Sequence, residues 1–348
     1  MISNRKEEHI RIAENEKVES EHNFWDDIKI IHRAMPEVNF DEIDLSVDFL
    51  GKKIGAPMII SSMTGGVEVA KKINRNLAAA AEKFNIPMGV GSMRAAVEKK
   101  ELADSFSVIN DFNIPVRFAN IGAPQLIDQA KPAFRDADID YVMDLIHADF
   151  LIIHFNFLQE MIQPEGDRNG KGVKKRVSEI ASSYPVIVKE TGNGFSREDA
   201  LELKDAGVRA IDVGGLGGTS FAAIEYYRAL KANDEEKANS GLSFWNWGIP
   251  SPAAIKYCDV GIPVIGSGGL RTGLDLAKAL MLGAVAGGFA RTLLRSADDS
   301  QESIFKRVSF ILRDLKIAMF LTGQTRPYGL RRVKYFVLEP LRSWMEAV

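Results

Sequence analysis

Short apolar runs alternate with longer amphipathic stretches along most of the chain. Runs such as residues 151–153 and 186–188 are almost wholly β-branched or leucine, which is typical of strands buried on both faces of a sheet. The stretches between them repeat apolar residues at helical spacing. Strands are predicted at 57–62, 87–91, 116–121, 150–154, 185–190, 210–214, 263–267 and 284–290, and helices at 69–84, 140–148, 197–206, 219–232 and 273–283.

Strands that alternate with helices predict a parallel sheet, and eight such units over roughly 250 residues match a (β/α)8 TIM barrel. We therefore predict an α/β protein, a TIM barrel with a charged N-terminal extension. A doubly wound open sheet is the alternative fold. It is less favoured because Met63, Thr64, Gly65 and Gly66 follow the first strand, where a dinucleotide-binding fold would carry its glycine fingerprint.

Polar residues gather where the predicted strands end. In a parallel barrel these ends open on one mouth, whose loops carry the chemistry. A single polar cluster is expected at any turn that follows a strand. Seven such clusters, each at the end of a predicted strand, predict a shared site. They contain Ser62, Met63, Thr64, Ser92, Met93, Arg94, Asn120, His154, Asn156, Lys189, Glu190, Gly214, Gly215, Ser267, Gly268 and Gly269.

Glycine-rich turns are candidates for binding phosphate. One turn, residues 265–273, follows the seventh strand, and another, residues 287–291, follows the eighth. Backbone N–H groups at such turns and at helix N-termini bind phosphate in many barrels. Tight turns alone also use glycine, but the pair favours a phosphate site. Residues 214–218 would let the backbone approach a flat ligand, and Thr219 either caps the next helix or binds phosphate.

Two strand ends carry candidate reactive groups. His154 ends an apolar strand and should point into the mouth, with Gln159 and Glu160 just beyond it. By spacing alone Glu160 fits a solvated helix residue better than a ligand, although one carboxylate beside a substrate phosphate suits Mg²⁺. Lys189 closes a buried strand, so it needs either a carboxylate partner, Glu190 or Asp212, or the anionic edge of a cofactor.

Composition narrows the class of protein. The chain has 348 residues, 26% charged residues and a formal net charge of −3, which argues against disorder and against a dedicated nucleic-acid binder. No apolar run is long enough for a membrane helix. The single cysteine, Cys258, excludes an internal disulfide. The charged N-terminus lacks the apolar core of a signal peptide, so we expect a cytoplasmic protein.

Taken together, ordered segments resemble the type 2 isopentenyl diphosphate isomerases, which use FMN. Each segment is weakly specific, but the set follows the family's order over nearly the whole chain. The matching segments are Arg5-Lys6-x-x-His9-Ile10, Met63-Thr64-Gly65-Gly66, Gly91-Ser92-Met93-Arg94, Asn120-Ile121-Gly122-Ala123-x-Gln125, His154-x-Asn156-x-x-Gln159-Glu160, Pro164-Glu165-Gly166, Lys189-Glu190-x-Gly192, Gly217-Gly218-Thr219-Ser220 and Ser267-Gly268-Gly269.

The resemblance implies a role for each matching position. Gln159, with His154 and Asn156, would be catalytic, and Glu160 would bind Mg²⁺. Residues 1–50 would form an extension that contributes to the substrate site, and 51–348 the FMN-binding barrel. Substrate would be held by Arg5, Lys6, His9, Ser92, Met93, Arg94 and Gln159. FMN would be held by Ser62, Met63, Thr64, Ser92, Asn120, Lys189, Gly214, Thr219, Gly268, Gly269, Leu270, Ala290 and Arg291.

The implied reaction converts isopentenyl diphosphate to dimethylallyl diphosphate in isoprenoid biosynthesis. Protonating an isolated alkene needs a positioned acid in a dry pocket, and reduced FMN would supply that acid and base. NAD(P)H would reduce the flavin, and the chain would form a homotetramer or octamer. Two positions depart from the family: Met93 replaces a common Gln, and Gly214 a common Ser, so only backbone contacts are expected there.

Two other functions stay open. An FMN-dependent 2-hydroxy-acid oxidase would need a His in the loop at 214–218, which has none. A non-catalytic flavin-binding protein would not need Gln159, Glu160 or the basic N-terminus. Segment 243–247, with Trp245 and Trp247, would serve either as an oligomer interface or as a lid.

Overall fold

Eight parallel strands close into a barrel, as predicted. A computed structural model describes the backbone of residues 2–347 and the side chains of residues 5–347. Met1, the first residue of the predicted extension, and Val348, the last residue of the predicted barrel segment, lie outside the described residues. Each barrel strand pairs with the next in the chain, and the last pairs with the first. The strands are β4 (Met58–Ile60), β5 (Met88–Gly89), β6 (Arg117–Gly122), β7 (Phe150–Phe155), β8 (Val186–Glu190), β9 (Ala210–Asp212), β10 (Val264–Ser267) and β11 (Ala286–Phe289).

Helices and two small sheets surround the barrel. Strand β1 (Ile28–Ile30) pairs antiparallel with β12 (Tyr335–Val337), and β2 (Val47–Phe49) forms a hairpin with β3 (Lys52–Ile54).

No helix within residues 2–347 combines the length and the apolar character needed to cross a membrane. The helices are α1 (Ile2–Asn15), α2 (Glu68–Phe84), α3 (Arg94–Glu98), α4 (Asp104–Ser107), α5 (Asp136–Leu145), α6 (Phe157–Ile162), α7 (Val173–Ser183), α8 (Arg197–Asp205), α9 (Phe221–Lys231), α10 (Glu235–Ser243), α11 (Ser251–Tyr257), α12 (Gly273–Met281), α13 (Arg291–Asp299), α14 (Gln301–Phe320) and α15 (Leu341–Glu346).

The start of α9 differs in detail from the prediction. The helix begins at Phe221, and the Ser220 hydroxyl accepts a hydrogen bond from the Ala223 N–H at 3.2 Å. Ser220 therefore caps this helix, and Thr219 stays free for another role. Asn233, with φ of 54°, follows the last turn, and the Asp234 side chain caps α10 directly afterwards.

The barrel interior has an apolar layer below a polar one. Every barrel strand except β5 contributes to one buried cluster, and Phe49 and Ile54 of the hairpin join it from the amino end. On each of these strands, the residue two positions after the one in the buried cluster faces the same side of the sheet. At those positions the chain carries Ser61, Asn120, His154, Lys189, Asp212, Ser267 and Gly288, so polar groups form the floor of the mouth.

Candidate active site

A cavity of about 480 Å³ lies at the carboxyl ends of the barrel strands. Of the residues predicted to bind substrate, FMN or Mg²⁺ or to be catalytic, Met93 alone is outside its wall; it is buried in the core, and its N–H donates to the Asn120 carbonyl at 2.8 Å. The predicted residues in the wall are Arg5, Lys6, His9, Ser62, Met63, Thr64, Ser92, Arg94, Asn120, His154, Asn156, Gln159, Glu160, Lys189, Gly214, Thr219, Gly268, Gly269, Leu270, Ala290 and Arg291.

His154 is held in one protonation state by its neighbours. The Asn120 amide donates to the Val90 carbonyl at 3.2 Å, so its oxygen faces His154 Nδ1 at 2.8 Å. Nδ1 must then carry the proton, which leaves Nε2 as a hydrogen-bond acceptor. Burial, together with the charge of Lys189, lowers the pKa of His154 to about 4. The imidazole is therefore neutral at physiological pH.

Glycine loops form one side of the cavity by packing backbone on backbone. A Cβ on Gly268 would lie 2.3 Å from the Gly215 carbonyl oxygen, and a Cβ on Gly269 would lie 2.3 Å from the Gly217 oxygen. Both glycines have positive φ. The Trp25 indole donates to the Gly268 carbonyl at 2.8 Å and fixes the loop. Side chains larger than hydrogen would collide with the neighbouring loop, so the close approach of the loops that shapes this cradle requires glycine.

The two helix N-termini at these loops differ. Helix α12 is capped by the Thr272 hydroxyl, which accepts from the Asp275 N–H at 3.2 Å. Helix α13 follows Ala290, and no side chain caps it. The first N–H groups of α13 are therefore available to an anion such as the FMN phosphate. Within residues 5–347, the buried Ser62 hydroxyl also has no hydrogen-bond partner, which fits a polar ligand lying against it.

Helix α1 covers the cavity with cations. The Lys6 ammonium donates to the carbonyls of Gly65 at 2.7 Å and Ser92 at 2.9 Å. Burial, and then the charges of Arg5 and Arg94, lower the pKa of Lys6 to about 7. Arg94 donates to Asp167 at 2.8 Å and to Glu98 at 2.9 Å. These cations point to an anionic ligand at this end of the cavity.

The carboxyl end of α1 is held by Arg291. Its guanidinium donates to the Ala13 carbonyl and to the Glu19 carboxylate, both at 2.6 Å. Arg291 was predicted to bind FMN, whereas in the structure its side chain contacts the end of α1 and the segment after it. An FMN contact would come from its backbone at the start of α13.

Gln159 and Glu160 belong to a buried hydrogen-bond network on α6. The Asn156 amide donates to Gln159 Oε1 at 3.2 Å and to Glu160 Oε1 at 3.0 Å, and the Asp167 N–H donates to Glu160 Oε2 at 2.8 Å. Burial raises the pKa of Glu160. The described residues contain no cluster of three acidic, His or Cys ligands for a metal. One carboxylate fits Mg²⁺ that completes its coordination with water and a substrate phosphate.

Sequence reasoning missed Glu225 on α9. The Gln159 amide donates to Glu225 Oε1 at 3.1 Å, and His9 Nε2 lies 2.9 Å from the same oxygen. Glu225 therefore joins α1 to the predicted catalytic residue. A single acid inside an amphipathic helix gave no signal in the sequence, because it resembles an ordinary solvated residue.

The fold and the cofactor cradle define a class of flavin-dependent barrels. The sequence profile of the FMN-dependent dehydrogenase family matches residues 9–108 and 173–334. Among solved structures, mandelate oxidase with (S)-mandelic acid superposes with a TM-score of 0.62 at 15% identity, over 95% of this chain and 94% of that one. That likeness shows a shared fold.

Relatives of high sequence identity show to which family within this class the chain belongs. The isopentenyl-diphosphate delta-isomerase of Picrophilus torridus is 66% identical over 346 residues, covering 99% of each chain. The enzyme of the same name from Thermoplasma volcanium is 61% identical over 346 residues, covering 99% of this chain and 100% of the other. The chain belongs to the isopentenyl-diphosphate delta-isomerase family of the FMN-dependent type 2. The resemblance drawn from the ordered segments is confirmed.

Proposed function

We propose that this chain converts isopentenyl diphosphate to dimethylallyl diphosphate, with reduced FMN and Mg²⁺ bound in the cavity. The observation that carries the proposal is the convergence of three features on one mouth: a glycine cradle, a set of cations on α1, and the Gln159–Glu160 network. The names of the close relatives agree with this activity.

The glycine side of the cavity suits FMN. The uncapped start of α13 would take the phosphate, and Gly268, Gly269 and Leu270 would lie beside the ring or its chain. Ser62, Met63, Thr64, Ser92, Asn120, Gly214 and Thr219 would complete the site with Lys189. Reduced FMN supplies proton transfer next to the substrate double bond and an electron-rich ring beside it.

The cationic side suits the diphosphate. Arg5, Lys6 and His9 from α1 would bind its oxygens together with Arg94, and Glu160 would hold a Mg²⁺ that offsets the charge of the diphosphate. Each of these side chains is positioned before substrate arrives, so little conformational entropy is lost on binding. Anchoring the charged end of the substrate would fix the position of its alkene.

The reacting end of the substrate would lie against Gln159. Its amide oxygen accepts from Asn156 and its amide nitrogen donates to Glu225, so the side chain has one fixed orientation. This geometry supports a positioning role for Gln159. Neutral His154 presents Nε2 as a hydrogen-bond acceptor in the same wall.

The other expectations of the sequence analysis belong to the same proposal. NAD(P)H would reduce the flavin, the protein would act in the cytoplasm, and copies of the chain would assemble into a tetramer or octamer. Each of these stays a prediction.

An anaerobic assay tests the proposal. The purified protein should be yellow, and after reduction of its FMN it should isomerise isopentenyl diphosphate only with Mg²⁺ present. Glu160→Gln should lower kcat/KM by about a hundredfold, equivalent to ~2.7 kcal/mol of transition-state stabilisation, while FMN stays bound. Glu302→Gln, at an exposed position on α14, is the matched control.

Two outcomes would contradict it. Oxygen consumption with 2-hydroxy acids and no isomerisation would favour the oxidase alternative. A yellow protein with no turnover under any of these conditions would favour a flavin-binding protein without catalysis. Equal kinetics of Glu160→Gln and Glu302→Gln would refute the Mg²⁺ assignment alone.

A further inference from the structure

Asp212 is a buried carboxylate in the floor of the mouth to which the proposed reaction assigns no role. It ends β9, and its side chain is only 5% exposed. Its strand neighbours in register are Lys189 on one side and Ile265 on the other. The side chain therefore lies inside the barrel, directly below the ligand cavity.

The charge of Asp212 has one partner. Its Oδ2 lies 3.9 Å from the Lys189 ammonium. Among the described residues, no other ion pair within 4 Å involves either group. The neighbouring Glu190 carboxylate is engaged elsewhere, because its Oε2 accepts from backbone N–H groups of residues 191–194. A carboxylate buried this deeply is stable as an anion only when it is paired and hydrogen-bonded.

A hydrogen-bond chain orients Asp212 towards Lys189. The Gly214 N–H donates to the Ser267 hydroxyl at 3.0 Å, and that hydroxyl donates to Asp212 Oδ1. Gly214 is itself fixed, since it has φ of 44° and a Cβ there would lie 1.8 Å from the Glu190 carbonyl oxygen. With Oδ1 held in this way, Oδ2 faces the ammonium.

Lys189 in turn faces the ligand. It lines the cavity, and its ammonium donates to the Glu190 carbonyl at 2.7 Å. A charge beside a flavin ring changes its reduction potential, because reduction adds electron density to the ring. A lone ammonium would favour the reduced form, and a carboxylate behind that ammonium would offset the effect.

We propose that Asp212 is a positioning residue that fixes Lys189 against the flavin and neutralises its charge, and so lowers the reduction potential of bound FMN. The inference rests on the proposed function, since it needs FMN in this cavity. A lower potential corresponds to a more electron-rich reduced ring. That property suits a reaction with no net redox change, in which positive charge develops on substrate carbon.

The midpoint potential of bound FMN, measured against reference dyes, tests this role. Asp212→Asn keeps the shape of the side chain and removes its charge. We expect its potential to rise, with at least a tenfold change in the ratio of reduced to oxidised FMN at a fixed dye potential, which is about 30 mV for a two-electron couple. Ser267→Ala removes the orienting hydrogen bond but keeps the charge, so its shift should be smaller.

Ser267→Ala keeps the test decisive if Asp212→Asn loses FMN or fails to fold. Without the hydroxyl that orients it, the Asp212 carboxylate pairs less closely with Lys189, so the potential should still rise. An unchanged or lowered potential in Asp212→Asn, or in Ser267→Ala where Asp212→Asn cannot be measured, would overturn the inference.

The failure of this inference is distinguishable from that of the proposed function. A wild-type protein that is colourless and cannot be reconstituted with FMN refutes both. A yellow wild-type protein that isomerises its substrate, but whose Asp212 variants show no shift, refutes only the role of Asp212.

Discussion

Lys6 is a cation whose charge depends on pH near neutrality. Its ammonium is enclosed by α1 and the loops after β4 and β5, and it donates to backbone carbonyls of Gly65 and Ser92. Burial is the main reason that its pKa falls to about 7, and the charges of Arg5 and Arg94 add to it. A diphosphate placed beside it would favour the charged form.

We expect the KM for the diphosphate substrate to depend on this group. Below pH 7 the ammonium is charged and ready to bind; above pH 7 the free protein carries a neutral amine, and binding must take up a proton. KM should therefore rise about tenfold per pH unit above 7. Lys6→Arg stays charged at these pH values and should flatten the profile.

Steady-state kinetics of the two proteins from pH 6 to 9 check this expectation. The comparison also removes the contribution of the substrate's own ionisation, which affects both proteins equally. Parallel pH profiles would show that Lys6 does not titrate in the free protein.

At the scale of single residues, strand ends were the strongest signal in the sequence. His154, Lys189 and Ser267 were predicted to face the mouth because each lies where an apolar strand ends. Glu225 was not predictable, because its role arises from contact with Gln159 and His9, which lie far away in the sequence.

Helix α1 owes its position to contacts at its carboxyl end. The last carbonyls of a helix lack partners within it. Here Arg291 donates to Ala13 O at 2.6 Å, and Arg295 donates to Glu14 O at 3.0 Å. Both arginines belong to α13, so the helix that starts at the glycine cradle also holds the helix that carries Lys6.

Arg295→Ala should weaken substrate binding without weakening FMN binding, because Arg295 contacts α1 and does not line the cavity. A hydrogen bond at a solvent-exposed position contributes no more than about 1 kcal/mol, which predicts a KM increase of up to roughly fivefold. Amide hydrogen exchange in α1 should quicken as well. The variant is assayed beside Arg313→Ala, an exposed arginine of α14.

Unchanged KM and exchange in Arg295→Ala would show that the Arg295 hydrogen bond does not hold α1, which Arg291 and the helix's own buried apolar residues would then position. Ile10 and Ile12 are the candidates, since both are 5% exposed or less.

The strands that were not predicted from the sequence lie outside the barrel and are short. Strands β1 and β12 have three residues each and pair across most of the chain, so no local period marks them. The same holds for the hairpin of β2 and β3. Long amphipathic elements such as α2 and α12 were predicted within a few residues of their bounds, because their apolar stripes extend over several turns.

On the scale of the whole molecule, the barrel has a functional end and a structural end. The hairpin of β2 and β3 lies at the amino ends of the strands, where Lys52 forms an ion pair with Asp149 just before β7. Phe49 and Ile54 enter the barrel interior and are fully buried. The barrel was predictable from eight strand patterns. The β2–β3 hairpin, which forms a plug at the amino end of the barrel, was not predictable, because its two short strands carry too few apolar positions to reveal where they pack.

Phe49→Ala should therefore destabilise the fold and leave the active site intact. The Phe49 ring packs edge-on against Phe118, with ring centroids 6.2 Å apart. Removing a buried phenylalanine costs about 3–5 kcal/mol, because the cavity left behind collapses only in part. Phe336→Ala, at a 65% exposed position on β12, should change stability by less than about 0.5 kcal/mol.

Urea unfolding of both variants measures their stability, and FMN affinity and KM at low temperature measure the state of the active site. Together these measurements show whether the two ends of the barrel are independent. The polar layer lies between the plug and the cavity, and its residues are held by their own hydrogen bonds, as His154 is by Asn120. We therefore expect Phe49→Ala to keep the FMN affinity and KM of the wild type while its unfolding midpoint falls. If the variant loses FMN before it unfolds, the apolar layer positions the active site directly, and the two ends of the barrel are not independent.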